Sequence, residues 1–286
     1  MKCPKCKNDN KTNQRQYCQQ SRINLSTLRR IVTGGAPVSE DNIKQFQDIA
    51  PNAEIVVLYG STEVEPMAHI TGREMLKGGA KKQGVNVGYL CEDLEYKFIK
   101  IHRSAIELGE ALWEPWELPK GRIGELVVSG EHVCEGYYNN PQADRATKIK
   151  EDDGKIWHRT GDVGFLDEQN QLWIVGRVHN CILRAQQYLY PVQAEILLKK
   201  LAFVRQAAFL GIENSQLGEK AVAVVSLKEG FCHEQDDQYI QQIKQIFSND
   251  HIPVDEIKIV EDIPLDPRHH SKVEYTKLKD MLLSGQ

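Results

Sequence analysis

The segment at residues 157–177, WHRTGDVGFLDEQNQLWIVGR, constrains this chain more than any other, because it sets two turns, one carboxylate and one guanidinium between short apolar runs. In Thr160-Gly161-Asp162 the glycine lets the backbone turn tightly, so that a fixed carboxylate points out of the sheet. Phe165 and Leu166, the polar turn Asp167-Glu168-Gln169-Asn170, the run at 172–175 and Gly176-Arg177 then read as a β-hairpin with an acid at one end and an arginine at the other. A carboxylate accepts from two vicinal hydroxyls, as in a ribose, and arginine offers several donors to hydroxyl or phosphate oxygens. The hairpin is therefore a holder for a nucleotide sugar or an ordinary polar turn with a surface ion pair, and this segment alone leaves both readings open.

A chain of 286 residues with net charge -4 is long enough for one or two domains with ordinary cores. Its 41% hydrophobic and 27% charged residues are those of a globular protein; no apolar run reaches the length of a bilayer span, and MKCPKCKNDN lacks the apolar core of a signal peptide. The expectation is a soluble, cytoplasmic protein without a membrane span. Basic residues are scattered, so no nucleic-acid groove is implied. Seven cysteines make an odd count, and Cys91, Cys134, Cys181 and Cys232 are isolated in sequence, which favours reduced thiols. Cys3-Pro4-Lys5-Cys6 with Cys18 looks like the opening of a zinc ribbon, but Ser21 stands where a fourth ligand is expected. Residues 1–27 read better as a polar tail, and zinc is not expected among the cofactors.

From Leu28 a strand runs into Thr33-Gly34-Gly35-Ala36-Pro37, and Ser39 caps a helix to about Ala50 with Ile43 and Phe46 on its inner face. Glycines at such a turn let a flat ligand lie close to the backbone. A buried strand at 54–58 then delivers Tyr59-Gly60-Ser61-Thr62-Glu63. The Tyr59 ring can stack on a base, Gly60 with the Ser61 and Thr62 hydroxyls can approach a phosphate, and Glu63 can hold the accompanying hard cation. Residues 71–84 read as a loop, 87–101 as strand, and 104–121 as a second loop whose Trp113 and Trp116 are expected to pack onto their own domain. Past Arg177 the pattern changes to an α+β alternation, with a hinge expected at 176–180 and a domain from about residue 178 to the end. Lys272 closes a proline-punctuated loop and could reach developing negative charge, although a solvated lysine is the blander reading.

Taken together, Gly34-Gly35-Ala36-Pro37, Tyr59-Gly60-Ser61-Thr62-Glu63, Thr160-Gly161-Asp162, Gly176-Arg177 and Lys272 occur in the order found in the adenylate-forming (AMP-binding) superfamily, which the chain resembles from about residue 28 to 282. Glu117-Leu118-Pro119, Gly124-Glu125-Leu126-Val127-Val128, Ile156-Trp157-His158-Arg159 and Arg268-His269-His270-Ser271-Lys272 are similar to the acyl-CoA synthetase and fatty-acyl ligase branch that includes olefin-biosynthesis β-lactone synthetases. The resemblance implies a fold of α/β and α+β parts. Residues 28–177 would form the end of the large AMP-binding domain, a sheet and helix piece with a small β-rich subdomain, and residues 178–286 a small mobile C-terminal domain.

The resemblance also implies roles. Gly35, Ala36 and Tyr59 would line the adenine, with Gly60 close by. Thr62 would contact the α-phosphate, Glu63 would hold magnesium, and Asp162 with Arg177 would bind the ribose hydroxyls. His179 would mark the hinge and Lys272 would serve adenylation. The implied reaction joins a fatty-acid-like carboxylate to ATP, giving an acyl-adenylate and pyrophosphate, followed by transfer to a thiol such as CoA or by β-lactone closure. The family's Ser/Thr/Gly-rich phosphate loop has no counterpart in the sequence, Ser271 replaces the usual glycine, and Asn180 the usual aspartate. The expectation is therefore a truncated or split ligase, whose missing part a separate chain would supply, or else a non-catalytic remnant that binds AMP, an acyl-adenylate or a partner protein.

Overall fold

The computed structural model describes residues 25–35, 38–77, 84–267 and 272–284. They fall into two compact units, one drawn from residues 1–80 and 87–91, the other from 81–86 and 92–286.

In the first unit β1 (Arg30–Thr33) and β2 (Glu54–Ser61) pair in parallel, from Arg30 opposite Glu54 to Thr33 opposite Val57. Parallel neighbours need a crossover, and helix α1 (Glu40–Ile49) supplies it. The Ser39 hydroxyl accepts from the Asn42 amide and the Asn42 side chain accepts from the Ser39 amide, a reciprocal cap. Ile43 is fully buried and packs with Val38 and Ile55, flanked by Phe46 and Val57. Strand β3 (Val64–Thr71) returns antiparallel to β2. The strand expected at 54–58 thus runs on to Ser61, and Thr62-Glu63 is the hairpin connection.

The loop expected at 71–84 opens instead as a helix, α2 (Gly72–Lys77). Its start is fixed by Thr71 and Glu74, each bonded to the other's side chain or amide at 2.6–3.2 Å, and its Met75 and Leu76 pack on the α1 core. β4 (Val85–Leu90) adds to β3 through Ala68 opposite Leu90 and His69 opposite Tyr89. Gly88 has φ +88, and a Cβ there would fall 1.9 Å from the His69 carbonyl oxygen, so the two strands approach only because residue 88 has no side chain.

In the second unit the strands are β5 (Glu95–Ile99) and β6 (Gly124–Ser129). Helix α3 (Pro141–Thr147) comes next, then β7 (Lys148–Lys150), β8 (Ile156–Leu166) and β9 (Leu172–Arg177). The strand expected at 87–101 is therefore two, broken at the polar turn Glu92-Asp93. Pairing is antiparallel in the order β5-β6-β8-β9, with β7 also on β8. β6 is buried at every position. Trp113 from the 100–123 loop packs edge-to-face on Trp157 at 5.4 Å, so this tryptophan is core.

The chain then forms β10 (Ile182–Arg184), β11 (Gln187–Leu189), α4 (Pro191–Lys199), β12 (Val204–Asn214) and β13 (Gly218–Leu227). α5 (Asp236–Asn249), β14 (Glu256–Val260) and α6 (Tyr275–Ser284) complete it. The strand order is β11-β10-β13-β12, with β14 parallel to β13. Side chains alternate between two cores. Ala207, Phe209, Ala221, Ala223 and Val225 meet Ala194 and Leu198 of α4 and Ile243 and Phe247 of α5. Ala208, Leu210, Val222 and Val224 meet Leu278 and Leu282 of α6. A sheet covered on both faces explains why β12 and β13 read as unbroken apolar runs. Each fully buried large side chain contributes roughly 1.5–3 kcal/mol. Among the described residues, no helix is long and apolar enough to cross a membrane.

Candidate active site

The hairpin of β8 and β9 is built from the strand register outward. Asp162 lies directly opposite Arg177, and the Arg177 Nε stands 3.2 Å from the Asp162 carboxylate. Behind them, the Thr160 hydroxyl donates to the Leu126 carbonyl at 2.8 Å and accepts from the Asp162 amide at 3.0 Å; Thr160-Gly161-Asp162, expected as a turn, is instead a bulged stretch within β8 that is tied to β6. Gly161 has φ +70, and a Cβ there would stand 3.1 Å from Arg177 Nη2. Its carbonyl accepts from the Val178 amide at 2.9 Å, while Arg177 Nη2 donates to the Thr160 carbonyl at 3.1 Å. The arginine side chain is 62% exposed and the aspartate 20%, so a paired acid and guanidinium are presented at the surface on a rigid ladder. Such a pair can engage neighbouring hydroxyls.

One layer deeper lies an ion pair to which the sequence reading gave no role. Arg159 and Glu125 are both buried and meet at 2.6–3.2 Å across β8 and β6. Arg159 also donates to the Ser104 carbonyl at 2.6 Å and the His102 carbonyl at 2.5 Å, which fastens the start of the 100–123 loop beneath the hairpin. Burial holds the Glu125 carboxyl above its ordinary range, with the Arg159 hydrogen bonds and charge opposing it. The signal for this pair was present: a glutamate in the otherwise apolar run GELVV, and an arginine just before Thr160-Gly161-Asp162.

Past Arg177 the backbone makes a tight turn in which the Arg177 carbonyl accepts from the amides of Asn180 and Cys181, both at 2.9 Å. His179 sits in this turn. Burial, then the charges of Arg177, Arg159 and Arg103, holds its imidazole below the usual range. Arg103 donates to the Cys181 carbonyl at 2.7 Å and to Glu219 at 2.9 Å, and Glu219 accepts the Leu183 amide at 2.5 Å. Burial pushes the Cys181 thiol up to about 12, so this cysteine is an inert packing group. Cys91, Cys134, Cys181 and Cys232 are free cysteines.

In the first unit, the register of β2 shifts between Tyr59 and Ser61, its last residue, and Thr62 is exposed while Tyr59, Gly60, Ser61 and Glu63 are half-buried. The Ser61 hydroxyl is buried without a hydrogen-bond partner among the described residues. Gly35 has φ +74, and open space lies where its side chain would be. Lys272 is exposed; its carbonyl accepts from the Asp266 amide at 2.8 Å, and the adjoining Val273 bridges to Leu265. Asp162, Arg177 and the His179 turn are thus brought together, as are Tyr59 to Glu63, while Lys272 stands on its own arm. Cys3, Cys6, Cys18 and Ala36, together with residues 268–271, lie outside the described residues. Among the described residues no group of three or more His, Cys, Asp or Glu side chains is placed to hold a metal.

Residues 5–138 match the family described as AMP-binding enzyme. Over 266 residues, 89% of this chain and 47% of the relative, the sequence is 30% identical to the olefin beta-lactone synthetase of Stenotrophomonas maltophilia (strain K279a). The chain is therefore similar to AMP-binding enzymes over most of its length. A second relative, 4-coumarate--CoA ligase 5 of Oryza sativa subsp. japonica, is 29% identical over 245 residues, covering 81% of this chain and 42% of the relative. The amide bond synthetase McbA from Marinactinospora thermotolerans shares the fold, with a TM-score of 0.67 and 23% identity over 91% of this chain and 48% of that one. So does o-succinylbenzoate CoA synthetase from Bacillus subtilis, solved in complex with its acyl-adenylate intermediate, at a TM-score of 0.66 and 20% identity over 92% and 49%. The chain spans about half the length of the curated relatives it matches, and its fold is that of the C-terminal part of adenylate-forming enzymes.

Proposed function

We propose that this chain carries the ribose-gripping hairpin and the lysine arm of an ATP-dependent acyl ligase that joins a fatty-acid-like carboxylate to AMP. The observation that carries the reading is the Asp162–Arg177 pair, set opposite one another in the ladder and backed by Thr160 and the buried Arg159–Glu125 pair. In this reading Asp162 accepts from the ribose hydroxyls and Arg177 donates to them. Tyr59 and Gly60, with Gly35 and Ala36, hold the adenine, and Thr62 donates to the α-phosphate. A magnesium ion shared with the phosphates needs only one or two protein carboxylates, and Glu63 suits that donor set. The substrate carboxylate attacks the α-phosphorus, its C–O–P bond forms as the bond to pyrophosphate breaks, and Lys272 offsets the charge that builds on the transferring group. The acyl carbon is then attacked by a thiol such as CoA, or by the acyl chain's own β-hydroxyl to give a β-lactone; in either case the bond to the phosphate oxygen breaks, AMP leaves and the nucleophile loses its proton. Similarity to an olefin beta-lactone synthetase and to CoA ligases supports both fates.

In this account His179 is the hinge between a domain at residues 28–177 and a mobile one at 178–286. A second reading concerns assembly. On the outer strand β1, Val32 is 57% exposed, and Leu28 just before the strand is 39% exposed with the Arg30–Glu54 ion pair between them, an open strand edge suited to a partner segment.

The test is carboxylate-dependent exchange of pyrophosphate into ATP with a panel of fatty acids. Exchange by the protein that is lost in Lys272→Ala supports the ligase. No exchange by a folded sample that still binds AMP would replace it with a nucleotide-binding remnant, or with one part of a two-chain enzyme.

A further inference from the structure

We propose that Glu195 and Tyr275 form a positioning pair that sets where Lys272 sits, and through it the rate of the step Lys272 serves. The inference rests on the reading of Lys272 given above, but its footing is geometric. Glu195 projects from α4, and its Oε1 accepts from the Phe209 amide at 3.2 Å and from the Tyr275 hydroxyl. Phe209 lies on β12, the last strand of its sheet, so the carboxylate sits at the sheet's outer edge. Tyr275 opens α6, whose core contacts are on the face opposite those of α4. One carboxylate oxygen therefore ties the two helix layers together around the edge of the sheet.

Tyr275 follows Lys272 by three residues, a span of at most about 10 Å. Within it the chain has little slack. Val273 pairs with Leu265, the Glu274 amide donates to the Pro264 carbonyl at 2.8 Å, and the Asp266 amide donates to the Lys272 carbonyl at 2.8 Å. The far side of this arm is tied as well, because the Ile263 amide donates to Gln206 at 3.2 Å. A shift of Tyr275 is thus passed to Lys272 with few degrees of freedom to absorb it. Packing alone would be served at least as well by two apolar side chains, since a carboxylate enclosed here is desolvated at a cost. Burial indeed raises the Glu195 carboxyl above its ordinary range, against the Tyr275 hydrogen bond, the Lys199 charge and the Phe209 amide. What the polar pair adds over an apolar one is direction.

The experiment compares Tyr275→Phe, Glu195→Gln and Glu195→Ala in the full chain. Tyr275→Phe deletes one oxygen and keeps the ring. Its kcat for acyl-adenylate formation is expected to fall about tenfold, with the KM for ATP unchanged. Glu195→Gln keeps an acceptor oxygen for both donors and is expected to retain near-normal kcat, while Glu195→Ala behaves like Tyr275→Phe. In a Lys272→Ala background Tyr275→Phe should cost nothing further. A second readout needs no activity: the rate of tryptic cleavage after Lys272 in the folded protein should rise several-fold in Tyr275→Phe and Glu195→Ala, and not in Glu195→Gln. Wild-type kcat and cleavage rate in Tyr275→Phe would overturn the proposal. Should the unmodified protein form no adenylate, the ligase reading falls by itself, and the cleavage rates still decide whether the pair positions the lysine.

Discussion

Asp162 and Lys272 are the two charged groups on which the functional reading leans most, and they are held in opposite ways. Asp162 lies within a strand, opposite its partner Arg177, with its amide bonded to Thr160 and a buried ion pair directly beneath. Lys272 lies on an arm between β14 and α6, fixed by a few backbone bonds and by the distant Glu195–Tyr275 contact. The difference suits the two tasks. In the proposed function, a group that binds the same sugar through every step gains from a rigid ladder, whereas a group needed in one step can stand on a separate, locally braced arm.

The comparison breaks most visibly at Arg159. Arg159→Met leaves Glu125 buried without its partner and is expected to destabilise the protein by about 3–5 kcal/mol, read by urea unfolding. A loss below about 1 kcal/mol, the scale of a surface pair, would mean that the hairpin is not braced from below. Gly161→Ala comes next. Forcing a side chain into φ +70 beside Arg177 is expected to cost about 1–3 kcal/mol and to loosen the Asp162–Arg177 pair. Unchanged thermal unfolding of that variant would argue that the bulge tolerates another conformation.

The smallest effect is a pH dependence in the lysine arm. Because burial raises the folded carboxyl of Glu195 above its unfolded value, its contribution to stability is fully present below the unfolded value, near pH 4, and is lost as pH rises through the folded value. Glu195→Gln removes that proton, so stability measured against pH should fall less steeply over this window in the variant than in the unmodified protein. Parallel curves would show that Glu195 is not desolvated as the structure has it.

The hairpin was legible in the sequence because its connection is local, polar residues at 167–170 between two apolar runs, whereas the turn expected at Thr160-Gly161-Asp162 is a bulge within β8 set by its pairing with β6. The Ser39 cap and the α1 core face were legible for the same reason. α2 was not, since residues 71–84 are half glycine and lysine and the Thr71–Glu74 cap opens a helix of only six residues. The Arg159–Glu125 and Glu195–Tyr275 pairs were hidden by distance along the chain, 34 and 80 residues, over which no local period speaks. A charged residue inside an apolar strand signals that a partner exists without saying which.

The central claim, that the β8–β9 hairpin grips a ribose, is tested most directly by titrating AMP and 2′-deoxy-AMP into the protein and into Asp162→Ala in a calorimeter. The protein is expected to bind AMP at least about tenfold more tightly than 2′-deoxy-AMP, and that preference is expected to vanish in Asp162→Ala while the fold is kept. Equal affinity for the two nucleotides, or a preference that survives in Asp162→Ala, would contradict it.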